Sequence, residues 1–188
     1  MSDQEDEQWL TRSMHIAAFP ELVPDILLGG QLKMNMFIDC EYNGMGGQLI
    51  SIALVPESDQ LEPFYRELII NEPIEAWVND NVLPLLNQTQ FLQMGGIYAP
   101  CSRANLQADL AMYLKQYDSI HLISDWPDDI KYFCDLLITG PGTRIDTPKL
   151  TMEIRRDLDC VSEQPHNALA DAIAIREQWK KINASYDL

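Results

Sequence analysis

The spacing of apolar residues changes part-way along this chain. In the first half they gather in short runs. MFIDCEY (36–42) is a short apolar run with two carboxylates inserted, a candidate central strand. Asn43-Gly44-Met45-Gly46-Gly47 supplies a turn, because glycine accepts positive φ. QLISIALV (48–55) is rich in β-branched residues and predicts the next strand. Pro56-Glu57-Ser58-Asp59 makes a second turn, and Glu62 to Ile70 predicts a third strand. Connections this tight make the three strands an antiparallel meander.

In the second half the period becomes helical. Ile74, Trp77, Val78 and Val82 recur at helix spacing, with Pro84 limiting that helix. Ser102 is a good N-cap for a helix that carries Leu106, Leu110, Tyr113, Leu114 and Tyr117 on one face. SIHLIS (119–124) predicts a buried strand, and Pro127 suits the first turn of a helix running through Phe133 to Leu137. A last helix is predicted from Pro165-His166 to Lys181. A meander followed by alternating helices and strands implies an α/β fold with a mixed sheet and helices on its faces. Residues 1–32 read as an acidic N-terminal tail and extension, with a short helix over Leu22–Leu28 ended by Gly29 and Gly30. Residues 33–188 read as one domain.

Charge and cysteine usage narrow the class. The 188 residues hold 13 Lys+Arg against 29 Asp+Glu, a net charge of −16. Such a surface serves solubility, or gathers carboxylates around divalent cations. It argues against a broad basic surface for nucleic acid. It does not exclude a nucleic-acid enzyme, since bound metal ions can be the largest local charges in a site. An acidic interaction protein that mimics nucleic acid is the competing, non-enzymatic reading. Cys40, Cys101, Cys134 and Cys160 form no CxxC pair and no zinc-ligand spacing, and three sit in or beside apolar runs. Buried free thiols and a reducing cytosol follow. MSDQEDEQ has no apolar signal core, and no apolar run approaches the ~20 residues of a membrane helix. The expected location is cytoplasmic, without membrane contact.

The chemistry gathers in three places. Asp39 and Glu41 stand at i and i+2, so a strand points both to one face, ~6–7 Å apart. Two carboxylates in so apolar a run either face solvent at the strand end or bind a cation. On the last helix, Ala168, Ala172, Ile175 and Trp179 form an apolar stripe with Asp171 at its edge. His166 lies five residues earlier, on the loop or first turn before the helix. SDWPDD (124–129) places Asp125, Asp128 and Asp129 between a strand end and a helix start, where carboxylates are favoured in any case.

Together these pieces resemble the DEDDh 3′→5′ exonuclease superfamily. The matching motifs are Asp39-Cys40-Glu41 on the first strand, an Asp at the strand–helix junction, and His166-Asn167-Ala168-Leu169-Ala170-Asp171 on the last helix. The likeness spans roughly 34–182. It is nearest to the ribonuclease AS-like small exoribonucleases, through FIDCEYNGMGGQLISIALV and WVNDNVLP (77–84). Laying SDWPDDIKYF on the family pattern puts Asp129 on the ligand Asp and Asp125 on the preceding Asn position, with Asp128 the choice if the turn is one residue shorter.

The resemblance implies a ribonuclease H-like fold and hydrolysis of single-stranded nucleic acid from its 3′ end, RNA ahead of DNA, releasing nucleoside 5′-monophosphates. It implies two divalent ions, Mg²⁺ or Mn²⁺, held by Asp39, Glu41, Asp129 and Asp171, with His166 as general base. The terminal nucleotide would contact the backbone after Asp39, at Cys40, and a side chain among Tyr42, Met45 and Leu49 would wedge against the last base, with Asp125 nearby. Arg144, Lys149, Arg155 and Arg156, in a stretch read as irregular, either line a substrate groove or are plain surface charge. The same likeness suggests a homodimer.

Overall fold

The computed structural model describes residues 33–86, 99–158 and 160–184. All of them belong to one compact unit, Gln31–Leu188. The expected tail, extension and short helix over 1–32 lie outside the described residues.

Three strands open the unit: β1 (Lys33–Tyr42), β2 (Leu49–Pro56) and β3 (Phe64–Glu67). A short helix α1 (Ala76–Asn81) and a 3-10 turn over Leu83–Leu85 follow, the turn carrying Pro84 at its start. Helix α2 (Arg103–Leu114) begins where Ser102 caps it, the serine oxygen accepting from Asn105 N at 3.2 Å. Strand β4 (Ser119–Ser124) leads into α3 (Pro127–Leu137), with Pro127 at its first position. The small hairpin of β5 (Ile138–Gly140) and β6 (Thr143–Arg144) precedes β7 (Lys149–Ile154), and α4 (Ala168–Ala184) closes the chain.

The main sheet has the order β3-β2-β1-β4-β7. Its first three strands pair antiparallel, while β1–β4 and β4–β7 pair parallel. This mixed α/β layout is compatible with a ribonuclease H-like fold. β2 is buried along its whole length. β1 is buried on both faces, and its period of two sorts its side chains. Met36, Ile38 and Cys40 join Leu106, Leu110 and Phe133 in one core beneath α2 and α3. Phe37 joins Ala53, Tyr65, Ala172 and Ile175 in the second core, beneath α4. Asp39 and Glu41 share the parity of Phe37 and continue that face toward the strand end.

Register sets where the site forms. Phe37 pairs with Ile123, so β4 runs out at Ser124 while β1 continues. The loop leaving β4 therefore emerges beside Asp39. α4 packs across β1 and β2 and brings its first turn to the same end.

Several boundaries differ from the expectation. The stretch expected to be irregular holds β6 and β7, with Arg144 and Lys149 inside strands. KLTMEI alternates, but β7 is largely exposed and its apolar positions are only partly covered, so its pattern is weak. The third strand is confined to Phe64–Glu67, directly after Pro63, which cannot donate to a ladder. The last helix starts at Ala168, not at Pro165-His166. All four thiols are free, yet only Cys40 is buried; Cys101, Cys134 and Cys160 are half-buried. Among the described residues no helix is long and apolar enough to cross a membrane.

Candidate metal centre

The site is built from β1 outward. Asp39 pairs across the sheet with Ala53, and Glu41 with Ser51, just before a register shift between Glu41 and Tyr42. The Oδ2 of Asp39 is buried and has no hydrogen-bond partner. An ionised carboxylate oxygen in that position is costly unless a cation completes it.

Asp171 reaches the site through the start of α4. Asn167, fully buried, caps this helix: its Oδ1 accepts from Ala170 N at 3.1 Å, and its Nδ2 donates to Leu85 O at 2.9 Å. One residue earlier, His166 adopts φ 68°, a left-handed conformation that costs a non-glycine residue about 1 kcal/mol or more. That backbone turn aims the His166 N–H at Asp171 Oδ2, 2.9 Å away. The imidazole itself is exposed and meets Trp77 edge to face, with ring centroids 4.9 Å apart. Trp77 is delivered by the loop before α1, which Asn43 pins to the β1–β2 turn. Asn43 donates to Glu72 Oε1 and Pro73 O and accepts from Glu75 N.

Asp129 enters from the first turn of α3 and is buried. Its Oδ1 accepts from Cys40 N at 3.1 Å, and its Oδ2 from Ser124 Oγ at 2.8 Å. Ser124 Oγ also lies 2.6 Å from Trp126 O. One hydroxyl proton can serve only one of these two acceptors at a time.

The carboxylates form two overlapping groups. Asp39, Glu41 and Asp171 bring ligand oxygens within 4.8 Å of one another, and so do Asp39, Asp125 and Asp129. Asp39 belongs to both. Asp128 belongs to neither; its Oδ2 accepts from Trp126 Nε1 at 2.9 Å. The junction thus contributes two aspartates where the family pattern asks for one.

Burial shifts Asp39, Glu41, Asp129 and Asp171 upward. Burial raises Asp39 well above the usual range, and Asp129, Glu41, Asp171 and Asp125 push it further. Glu41 is pushed up to about 8, by burial first and then by Asp171 and Asp129. Asp129 is raised to about 7 by burial, against the opposing Ser124 hydroxyl. Asp171 is raised by burial, with the His166 amide among the groups pulling it back. Among the described residues, no Lys or Arg pairs with Asp39, Glu41, Asp129 or Asp171. Hard divalent cations prefer such all-oxygen donor sets, and the orphaned Asp39 oxygen fits that requirement.

A cavity of about 490 Å³ opens over these groups, and Tyr42, Met45, Trp77, Trp126 and His166 stand in its wall. Met45 is 88% exposed at its rim. Tyr42 stacks on Tyr132 at 4.9 Å, and Tyr132 in turn donates to Gly47 O. Leu49 is not available as a wedge, because it is buried in the core. Cys40 lines the cavity, but its thiol is buried and its amide is engaged by Asp129, so that N–H is not free for a substrate. None of Arg144, Lys149, Arg155 or Arg156 lines the cavity, so no groove of four cations forms. Arg155 is tied to Asp157 and Glu153.

Sequence reasoning missed Ser124, Asn167, Trp77 and Trp126. Asn167 was findable, since Asn directly before ALAD is a helix-cap signal. The others act through tertiary contacts that leave no local pattern. The sequence matches no protein-family model and no curated protein.

Proposed function

We propose that this chain is a metal-dependent 3′→5′ exonuclease acting on single-stranded nucleic acid, with RNA ahead of DNA. The observation that carries the reading is the pair of carboxylate groups sharing Asp39, with an unpartnered buried oxygen on that shared residue. His166 at the lip supports it, held against Asp171 by its own backbone. The preference for RNA, and the release of nucleoside 5′-monophosphates, rest on the likeness of DCE and HNALAD to the exonuclease motifs. The free thiols support a reducing, cytoplasmic setting.

Asp39, Glu41 and Asp171 would hold one Mg²⁺ or Mn²⁺, and Asp39, Asp129 and Asp125 a second. When bound, such ions lower the pKa of water and neutralise charge on the scissile phosphate. The rest is work for the chain itself. His166 is exposed to the cavity, where an imidazole nitrogen can serve as general base. It takes a proton from the attacking water as the water oxygen bonds to phosphorus. The P–O3′ bond breaks, its electron pair leaves with the 3′-oxygen of the retained strand, and that oxygen takes a proton from solvent. Asn167 and the left-handed turn at His166 fix the base relative to Asp171. Ser124 and the Cys40 amide fix Asp129.

The test is product analysis. Purified protein with Mn²⁺ and single-stranded RNA or DNA should release nucleoside 5′-monophosphates, faster from RNA. Release of nucleoside 3′-monophosphates or internal fragments would point to another phosphodiesterase. No release of any product from folded protein would favour the acidic binding protein.

A further inference from the structure

Trp126 stands beside the Asp125–Asp129 group and is not used by the chemistry above. It lines the cavity with 41% of its surface exposed. An exposed indole usually moves, but this one is held at its Nε1–H and by a cation over the ring. Its Nε1–H donates to Asp128 Oδ2 at 2.9 Å, while the Trp126 backbone N–H donates to Ser124 Oγ at 2.9 Å. The Arg156 guanidinium lies over the ring, 3.9 Å from its centroid. The same guanidinium donates through Nη1 to Asp125 O at 2.8 Å. Arg156 therefore contacts both the indole face and the backbone carbonyl of Asp125. Among the described residues it makes no ion pair, whereas its neighbour Arg155 makes two. Its remaining N–H donors are open to an anion.

The side of the site on which this pair sits determines what it meets. His166 and Asp171 stand together beside one carboxylate group, and Trp126 and Asp125 beside the other, with Asp39 common to both. Water deprotonated by His166 approaches phosphorus from the His166 side. In-line displacement sends the leaving 3′-oxygen the opposite way, toward Asp125, Asp129 and Trp126.

We infer that Trp126 and Arg156 form a subsite for the retained strand: the indole stacks on the base of the nucleotide that carries the leaving oxygen, and the guanidinium binds that nucleotide's phosphate. This rests on the exonuclease reading. A pre-held aromatic stacks on any base at little ordering cost, so the subsite is indifferent to sequence. It also supplies a local cation for strand binding in a chain of net charge −16.

The experiment compares two substrates with Mn²⁺. One is a single-stranded hexanucleotide. The other is a nucleoside 5′-monophosphate p-nitrophenyl ester of the same sugar, whose leaving group carries neither base-sugar nor phosphate. Wild type should hydrolyse both. W126A and R156Q should raise KM for the hexanucleotide about tenfold or more, while W126F and R156K restore part of the loss. R156Q should also lower the salt slope for the hexanucleotide by about 1. Turnover of the ester should change by less than about threefold, which also shows that the variants are folded. Equal losses on both substrates would make Trp126 and Arg156 structural and overturn the inference. So would unchanged hexanucleotide kinetics. If wild type hydrolyses neither substrate, the exonuclease reading itself fails, a result distinct from failure of the variants.

Discussion

With no Lys or Arg paired to them among the described residues, the converging carboxylates Asp39, Glu41, Asp129 and Asp171 should make the metal-free fold lose stability as pH rises. Glu41 is held at about 8 and Asp129 at about 7, both far above unfolded carboxylates. An acid whose folded pKa is raised binds its proton more tightly in the folded state. Its contribution is complete below the unfolded pKa near ~4 and is lost as pH climbs through the folded value. Between pH 5 and 7 the unfolded chain has released these protons while the folded chain still holds most of them. Each such proton is worth up to about 1.4 kcal/mol per pH unit. Because the members are mutually coupled, one effective proton over two pH units is the sounder figure, about 3 kcal/mol. For a domain of this size that corresponds to a Tm fall of about 6–12 °C. The assay is a thermal melt from pH 5 to 7 in chelator, with Asp39→Asn alongside. The general repulsion of net charge −16 is common to both proteins, so the difference between them reports the cluster. Wild type should fall more steeply, and D39N should be the more stable of the two at pH 7. Saturating Mn²⁺ should raise the wild-type Tm, more at pH 7 than at pH 5, because binding displaces protons. D39N should respond little. Identical slopes for the two proteins would refute the claim that these carboxylates are forced together.

Three other outcomes follow from the same geometry. His166→Gly should be more stable than His166→Ala by about 1 kcal/mol in denaturant melts, because glycine tolerates φ 68°; both should lower kcat by about 10²–10⁴. Asn167→Ala should cost about 1–3 kcal/mol, since it uncaps α4 and leaves Leu85 O without its donor. Phe133→Ala should cost about 3–5 kcal/mol in the same melts, from a cavity beneath α3 at a side chain with no exposed surface.

Much of the fold was legible because local and tertiary preferences agree. SIHLIS, the Ser102 cap and Pro127 mark elements whose ends coincide with local signals. β7 went unread although KLTMEI alternates polar and apolar residues, because six residues at a largely exposed sheet edge make only a short pattern with little burial behind it. Parity and helix position only suggested Asp39, Glu41 and Asp171, and the choice of all four with His166 came from the likeness of DCE and HNALAD to the exonuclease motifs. The junction aspartates were not separable by spacing. Asp125 and Asp129 join Asp39 only because β4 ends at Ser124 while β1 continues, and Asp128 turns instead to the Trp126 indole. Register, a long-range property, made that choice. Trp126 gave no signal at all, since its surroundings come from residues as far along as Arg156.

The central claim meets its most direct test in the direction of cleavage. Single-stranded RNA labelled at its 5′ end is incubated with Mn²⁺, with chelator, and with the Asp39→Asn and His166→Ala proteins. Wild type with Mn²⁺ should give a ladder of successively shorter labelled products, stepping from the 3′ end. The ladder should be absent in chelator and in D39N, and at most faint in H166A. Intact RNA with folded wild type, or a ladder that persists in chelator or in D39N, would contradict the account.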